Sequence, residues 1–204
     1  MLPFFLGTAP YIPYGIFETI GKYALQTDYC NSAFAKCLDI HSLSEPELLH
    51  GAGHTNDRLY WIESGLVRSF SGTDTDDITT GLYQEGNFFC VFSSFFSQKP
   101  STESICAEAP TVLFSIGSAD LQRLFGLSPA LSNAFRGLYG HLLEAHHART
   151  ALLRYRMPFE RYEAFLALHP QLAHRVLVKH IASYLGIHRV TLCKIRKQLT
   201  HKKT

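Results

Sequence analysis

Between Lys179 and Leu199 the chain reads KHIASYLGIHRVTLCKIRKQL, and one side of this stretch carries groups suited to a polyanion. His188, Arg189, Thr191, Lys194, Arg196, Lys197 and Gln198 are all donors. Guanidinium forks, ammonium groups and hydroxyls of this kind reach phosphate oxygens and the edges of bases. Such chemistry needs a rigid element that holds the row on one face.

The apolar residues of the same stretch supply that element. Ile181, Leu185 and Ile187 form one apolar set, and Leu192 and Ile195 another. Gly186 stands between them, where a turn must enter positive φ, and Ala182 provides the small residue at which two helices can cross closely. The pattern predicts a helix-turn-helix. The competing reading is an ordinary helical hairpin with a solvated basic face, and the charge distribution argues against it. Residues 1–124 hold 6 Lys+Arg and 14 Asp+Glu, whereas residues 125–204 hold 13 and 3. From Arg175 onward there are eight basic residues and no acidic one. A formal net charge of +2 therefore conceals a basic end where a polyanion would bind.

A chain of 204 residues with 46% hydrophobic and 13% aromatic content can bury a core, so disorder is excluded as its general state. No apolar run is long enough to span a bilayer, and no membrane partner is expected. The opening MLPFFLGTAPYIPYGIF lacks a positive leading region and is broken by Pro3, Pro10 and Pro13. It is read as an arm of the mature protein, residues 1–15, rather than an export signal. Cys30, Cys37, Cys90, Cys106 and Cys193 are odd in number and scattered, with no C-x-x-C pair. Reduced thiols in a cytoplasmic protein are the reading, with neither a zinc site nor a redox motif.

Short helices are expected over residues 16–24 and 27–38. Then β-type runs alternate with turn signals: Leu59–Glu63, a tight turn at Ser64-Gly65, and a returning strand Leu66–Phe70. GTDTDD at 72–77 reads as a hairpin loop, Ile78–Tyr83 as the next strand, and Glu85-Gly86 as a turn. Glu103–Ala107 and Thr111–Ile116 are two further strands broken by Pro110. About eight such runs would close a small antiparallel jelly-roll barrel. Ser118 is the expected N-cap of a helix over 119–125. Ser128-Pro129 opens a longer helix running to about Arg156. On it Leu131, Phe135, Leu138, Leu142 and Ala145 repeat at alternating spacings of four and three, and Leu152 resumes the stripe. This is a seam for a two-stranded coiled coil, or a stripe packed on the chain's own barrel. Pro158 opens a helix to His169, and residues 171–178 read as a linker.

This order of barrel, long helix and helix-turn-helix resembles the Crp/Fnr family of bacterial transcription regulators. The resemblance rests on DRLYWIESGLVRSF (57–70), QEGNFF (84–89) and, most specifically, FERYEAFLALHPQLAHRVLVKHIASYLGIHRVTLCKIRKQL (159–199), which is similar to the branch common in Bacteroidetes. It covers roughly residues 16–199. It implies an α+β chain with a cyclic-nucleotide-binding-like sensor barrel at 16–127, a dimerisation helix at 128–157 and a DNA-binding domain at 158–204. It implies a homodimer on double-stranded DNA, with recognition helices about one DNA turn apart. RNA polymerase is a further candidate partner.

Cyclic-AMP binders of the family carry Gly-Glu after the QEG-type turn and Arg-Ser or Arg-Thr about ten residues on. Counted from Gly86, Cys90 and Val91 fall where Gly-Glu would be, and Ser101-Thr102 where Arg-Ser would be. Only Thr102 fits. Without the arginine a buried phosphate has no counter-charge, and Val91 cannot accept from ribose hydroxyls, so cyclic AMP and cyclic GMP are not expected. The segment NFFCVFSSFF, with Phe89, could line a pocket for a more apolar small-molecule effector or simply fill the barrel. The iron–sulfur members use a close N-terminal cysteine cluster that Cys30 and Cys37 do not make. His141, His146 and His147 lack partners at metal-binding spacing. No resident cofactor, metal or catalytic group is expected, and no enzyme.

On the recognition helix the resemblance places Arg189 against O6 and N7 of guanine. His188 is at the N-cap. Val190 replaces the family's usual glutamate and suits a thymine methyl, so the operator should differ. Thr191 is set for a phosphate near the helix N-terminus, and Lys194 for a base or phosphate. Arg196, Lys197, Lys202 and Lys203 read as phosphate contacts or solvated charge. Family members carry a β-hairpin wing after this helix, whereas five residues follow Leu199 here, so a reduced grip is expected. The rival function is a small-molecule sensor or interaction module with the same barrel and no specific DNA binding.

Overall fold

The structure is a computed structural model, and it describes residues 14–21, 33–73 and 76–201. The arm expected at 1–15 lies outside these residues except for Tyr14 and Gly15, which belong to α1 (Tyr14–Gly21). Half of the helix expected at 27–38 also lies outside them, and of the described half residues 33–35 are helical. The strands are β1 (Asp39–Leu43), β2 (Glu47–His50), β3 (Arg58–Thr73), β4 (Asp76–Gln84), β5 (Phe88–Phe89) and β6 (Glu103–Gly117). A short α2 (Phe92–Ser97) precedes β6. After it come α3 (Ser118–Leu127), α4 (Pro129–Arg154), α5 (Pro158–Leu168), α6 (Leu172–Arg175), α7 (Val178–Tyr184) and α8 (Arg189–His201).

The six strands make one antiparallel sheet ordered β1-β6-β3-β4, with β2 also paired to β6 and β5 to β3. Two long strands hold it together. The first half of β3 pairs with the second half of β6 and with β5, and the second half of β3 pairs with the first half of β6 and with β4. Register shifts between Ile62 and Leu66 mark the bend between the two halves. Bulges of this kind increase local twist and bend the strand, so the sheet curls rather than lying flat.

Ser64-Gly65 is therefore not a hairpin turn but the bulge of a single strand. Gly65 sits at φ +110°, and a Cβ there would lie 2.6 Å from the Cα of Thr111. Thr111 reaches across, its hydroxyl oxygen 3.3 Å from the backbone N–H of Leu66. Pro110 falls within β6 at the matching bend, where a missing N–H is tolerated. GTDTDD is likewise mostly strand, because Gly72 pairs with Asp77 and Thr73 with Asp76. The closed barrel of about eight runs is a curled sheet of six strands among the described residues.

Helix starts follow local chemistry. Ser128 accepts a hydrogen bond from the Leu131 N–H at 3.2 Å and Pro129 opens α4, as the Ser-Pro pair suggests. The Glu160 carboxylate accepts from the Met157 N–H at 3.3 Å at the start of α5. In α3, Gly117 rather than Ser118 is the N-cap, and the helix extends to Leu127. The linker at 171–178 contains α6.

Three apolar clusters result. Tyr60, Ile62, Val67, Phe89, Ile105 and Leu113 fill the inside of the curl. Ile16, Trp61, Phe114, Leu121, Phe135 and Leu138 join the sheet to α1, α3 and α4. Leu152, Tyr162, Phe165, Ile181, Leu185, Leu192 and Ile195 build the C-terminal core, which also takes in Leu82 of β4. Full burial of such side chains contributes about 1.5–3 kcal/mol each. The apolar positions expected at 181–195 are buried, with Ile187 partly so, and Ala182 is 2% exposed.

The stripe on α4 packs largely on its own chain. Phe135, Leu138 and Leu152 are 0%, 1% and 2% exposed, so they cannot face a second helix. Leu131 and Leu142 are half-buried and Ala145 is exposed. The outward side carries Gly140, with open space around it, and Leu143, 70% exposed.

Candidate nucleic-acid interface and effector cavity

The surface of α8 is set by the turn before it. Gly186 takes φ +61°, the left-handed region that favours glycine. Arg161 of α5 donates from Nη1 to the Leu185 carbonyl at 3.0 Å and the Gly186 carbonyl at 3.2 Å. Its Nε donates to the Tyr155 carbonyl at 2.8 Å. One guanidinium thus fixes the turn and ties it to the end of α4. His188 caps α8, its Nδ1 accepting from the Val190 N–H at 3.3 Å.

From that cap the outer face presents Arg189, Val190, Lys194 and Lys197 to solvent, with Cys193 among them, and Thr191 half-buried beside them. His188 is also exposed. Val190 is 54% exposed, an apolar spot within a basic face. Arg196 departs from the expected set. Its Nη2 donates to the Ala173 carbonyl at 2.8 Å and its Nε to the Tyr162 hydroxyl at 3.0 Å. The guanidinium is a brace from α8 to α5 and α6.

The basic helices are fastened to the sheet. Ser183 of α7 accepts the Thr79 N–H of β4 at 2.9 Å, and Arg149 of α4 donates to the Thr79 carbonyl at 3.0 Å while lying 4.8 Å from the Tyr184 ring centroid. Both backbone groups of an edge residue are thereby satisfied, and that edge is closed to other strands. Arg175 of α6 pairs bidentately with Glu85 at 2.5 and 2.7 Å. These hydrogen bonds hold the Glu85 carboxyl at a pKa of about 2. Between these contacts His180 is buried, and burial first, then the Arg68 and Lys179 charges, lower its pKa to about 4. None of Arg161, Ser183 or Arg175 carries a motif signal, because each acts on backbone or a partner distant in sequence.

A cavity of about 510 Å³ opens between the curled sheet and α4. Of the expected effector-pocket residues, Cys90 and Val91 line it. The others do not. Phe89 is fully buried between the Tyr60 and Tyr83 rings, with each centroid 5.1 Å away. Ser101 is tied to His50 Nε2 at 3.1 Å, and Thr102 is exposed. Gly86, at φ +80° in its turn, lines an adjoining cleft of about 620 Å³. Thr80, Tyr83 and Glu103 of the sheet and Tyr139, Leu142, Leu143 and His146 of α4 complete the 510 Å³ cavity with α2, the largely exposed Leu143 at its rim. No arginine or lysine lines it.

Among the described residues no group of three His, Cys, Asp or Glu is placed to hold a metal. Among the same residues no helix is long and apolar enough to cross a membrane.

Residues 40–127 match the family model of the cyclic nucleotide-binding domain. No curated protein matches by sequence. The chain is similar in structure to FixK2 from Bradyrhizobium japonicum, with a TM-score of 0.68 and 17% identity over 81% of this chain and 86% of that one. It is also similar to a transcriptional regulator of the Crp/Fnr family from Eubacterium rectale, with a TM-score of 0.65 and 16% identity over 87% and 85% of the two chains. The c-di-GMP responsive global regulator CLP of Xanthomonas campestris gives a TM-score of 0.64 and 18% identity over 87% and 93%. Residues 40–127 thus match the cyclic nucleotide-binding domain, in a chain that has the fold of Crp/Fnr family transcription regulators.

Proposed function

We propose that this chain is a sequence-specific DNA-binding transcription regulator that acts as a homodimer, not an enzyme. In this reading residues 158–204 are the DNA-binding domain and α7, the Gly186 turn and α8 are its helix-turn-helix. The observation that carries it is the outer face of α8. Arg189, Val190, Lys194 and Lys197 stand exposed beyond a capped N-terminus, on an end of the chain with no acidic residue after Arg175. Arg189 reads guanine, Val190 touches a thymine methyl, and Thr191, Lys194 and Lys197 meet phosphates. His188 organises the helix start through its cap. Arg196 keeps the helix on its scaffold and reads nothing.

Dimerisation uses the outward face of α4, centred on Gly140 and Leu143, rather than the buried Phe135, Leu138 and Leu152. A glycine within an exposed helix costs about 0.5–1 kcal/mol relative to alanine, and close approach of a second helix gives it a role. The sensor domain, 16–127, binds an effector other than cyclic AMP in the 510 Å³ cavity, since no arginine or lysine lines it. RNA polymerase is the downstream partner, and the protein works in the cytoplasm.

Arg189→Ala tests the base-reading role. On the selected site it should cost about 1–3 kcal/mol and relax preference at one base pair. Unchanged discrimination would remove Arg189 from that role, and weak binding with no site preference in the wild type would favour a sensor module without DNA specificity.

A further inference from the structure

We propose that the cavity between the sheet and α4 takes a cationic amphiphile, an aromatic or branched apolar body bearing a protonated amine. The inference deepens the reading of this cavity as the effector site and rests on it.

One wall of the cavity is polar in a directional way. Thr80 Oγ1 donates to Glu103 Oε2 at 3.0 Å. Its oxygen is 2.9 Å from Ser69 Oγ, which in turn lies 3.5 Å from the Tyr83 hydroxyl. With the Thr80 proton committed to the carboxylate, the Ser69 proton goes to Thr80 and the Tyr83 proton to Ser69. The row of hydroxyls therefore points its protons at Glu103, and it leaves no proton of its own for a ligand's anion. Gly81 makes room for the row, because a Cβ there would come within 2.5 Å of Ser69 Oγ.

What the wall offers a ligand is a carboxylate. An anionic head would meet Glu103 with no arginine or lysine among the lining residues to offset it, which is costly away from water. An ammonium head gains a charge-assisted hydrogen bond instead. The remaining surface is mostly aromatic and apolar, with Tyr83, Phe92, Phe96 and Tyr139 among the lining residues, and Ser93 and His146 are its other polar members. Phe96 stands edge-on to Tyr139 with centroids 5.0 Å apart and is 58% exposed, so it forms part of the mouth. Ring faces attract cations as well as apolar bodies. Both features select the same class of molecule.

Three probes with one body and different heads separate the terms: naphthylethylamine, naphthylethanol and naphthylacetate. Each is titrated by calorimetry into the full chain near neutral pH, with Glu103→Gln and Phe96→Ala in parallel. The amine should bind about ten-fold more tightly than the alcohol, and the acetate most weakly. Glu103→Gln should erase the amine's advantage and leave the alcohol unchanged, while Phe96→Ala should weaken all three. If Glu103→Gln does not fold, the order of heads on the wild type decides. Equal binding of the three, or a preference for acetate, overturns the proposal and leaves the cavity as an effector site of another class. Binding of none overturns the effector reading itself.

Discussion

The hydroxyl oxygen of Ser183 lies 2.9 Å from the backbone nitrogen of Thr79, so the helix before the Gly186 turn is fastened to the edge strand of the sheet. Thr79 is fully buried, and water cannot replace the bond. Ser183→Ala should therefore cost about 1–3 kcal/mol, the penalty of a buried unpaired donor. Chemical denaturation measures the loss, and hydrogen exchange should speed first at the Thr79 amide. Unchanged protection there would mean that the docking rests on apolar contact alone.

His180 makes the same junction sensitive to acid. Its ordinary pKa of 6.5 is lowered to about 4 in the folded chain. Between these values the unfolded chain binds the proton and the folded chain does not. Stability is then full above about pH 6.5 and falls as pH drops toward about 4. His180→Gln should flatten that part of the stability profile, removing a loss on the order of 1–3 kcal/mol. An identical profile in the variant would show that other groups carry the acid response.

Arg196 and Lys197 are neighbours with different roles. Arg196→Met should lower stability by about 1–3 kcal/mol, because the Ala173 carbonyl and the Tyr162 hydroxyl lose a charged donor. Lys197→Met should leave the melting temperature alone and reduce the salt slope of DNA binding by about one. A reversal of these two outcomes would exchange brace and phosphate contact.

Gly65 marks the bend of β3. Gly65→Ala combines φ +110° with a Cβ 2.6 Å from the Thr111 backbone. A loss of about 3 kcal/mol or more, or failure to fold, is expected. A mild effect would mean that the bend can be made elsewhere in the strand.

Local chemistry made parts of the fold legible in the sequence. Ser128-Pro129 announced α4, Glu85-Gly86 a turn, and the apolar spacing from Ile181 to Ile195 two buried helix faces. Pairing partners were not legible. Ser64-Gly65 has the composition of a hairpin turn, and only the registration of both flanks on β6 makes it a bulge. The heptad stripe on α4 could equally meet a second helix or the body beneath, and burial of Phe135 and Leu138 shows the second. In the candidate interface, helix periodicity placed Arg189 and Lys194 outward. It could not show that Arg196 folds back onto Ala173, a carbonyl 23 residues away. Glu103 was invisible as a cavity residue because its role depends on Thr80 across the sheet.

The most direct test of the central claim is a genomic-fragment binding selection with the purified chain at two salt concentrations. A dimeric regulator should enrich one palindrome with half-sites about ten base pairs apart, and the preference should persist at the higher salt. Uniform binding that collapses with salt would mean generic attraction of the basic end to a polyanion, and would contradict the regulator reading.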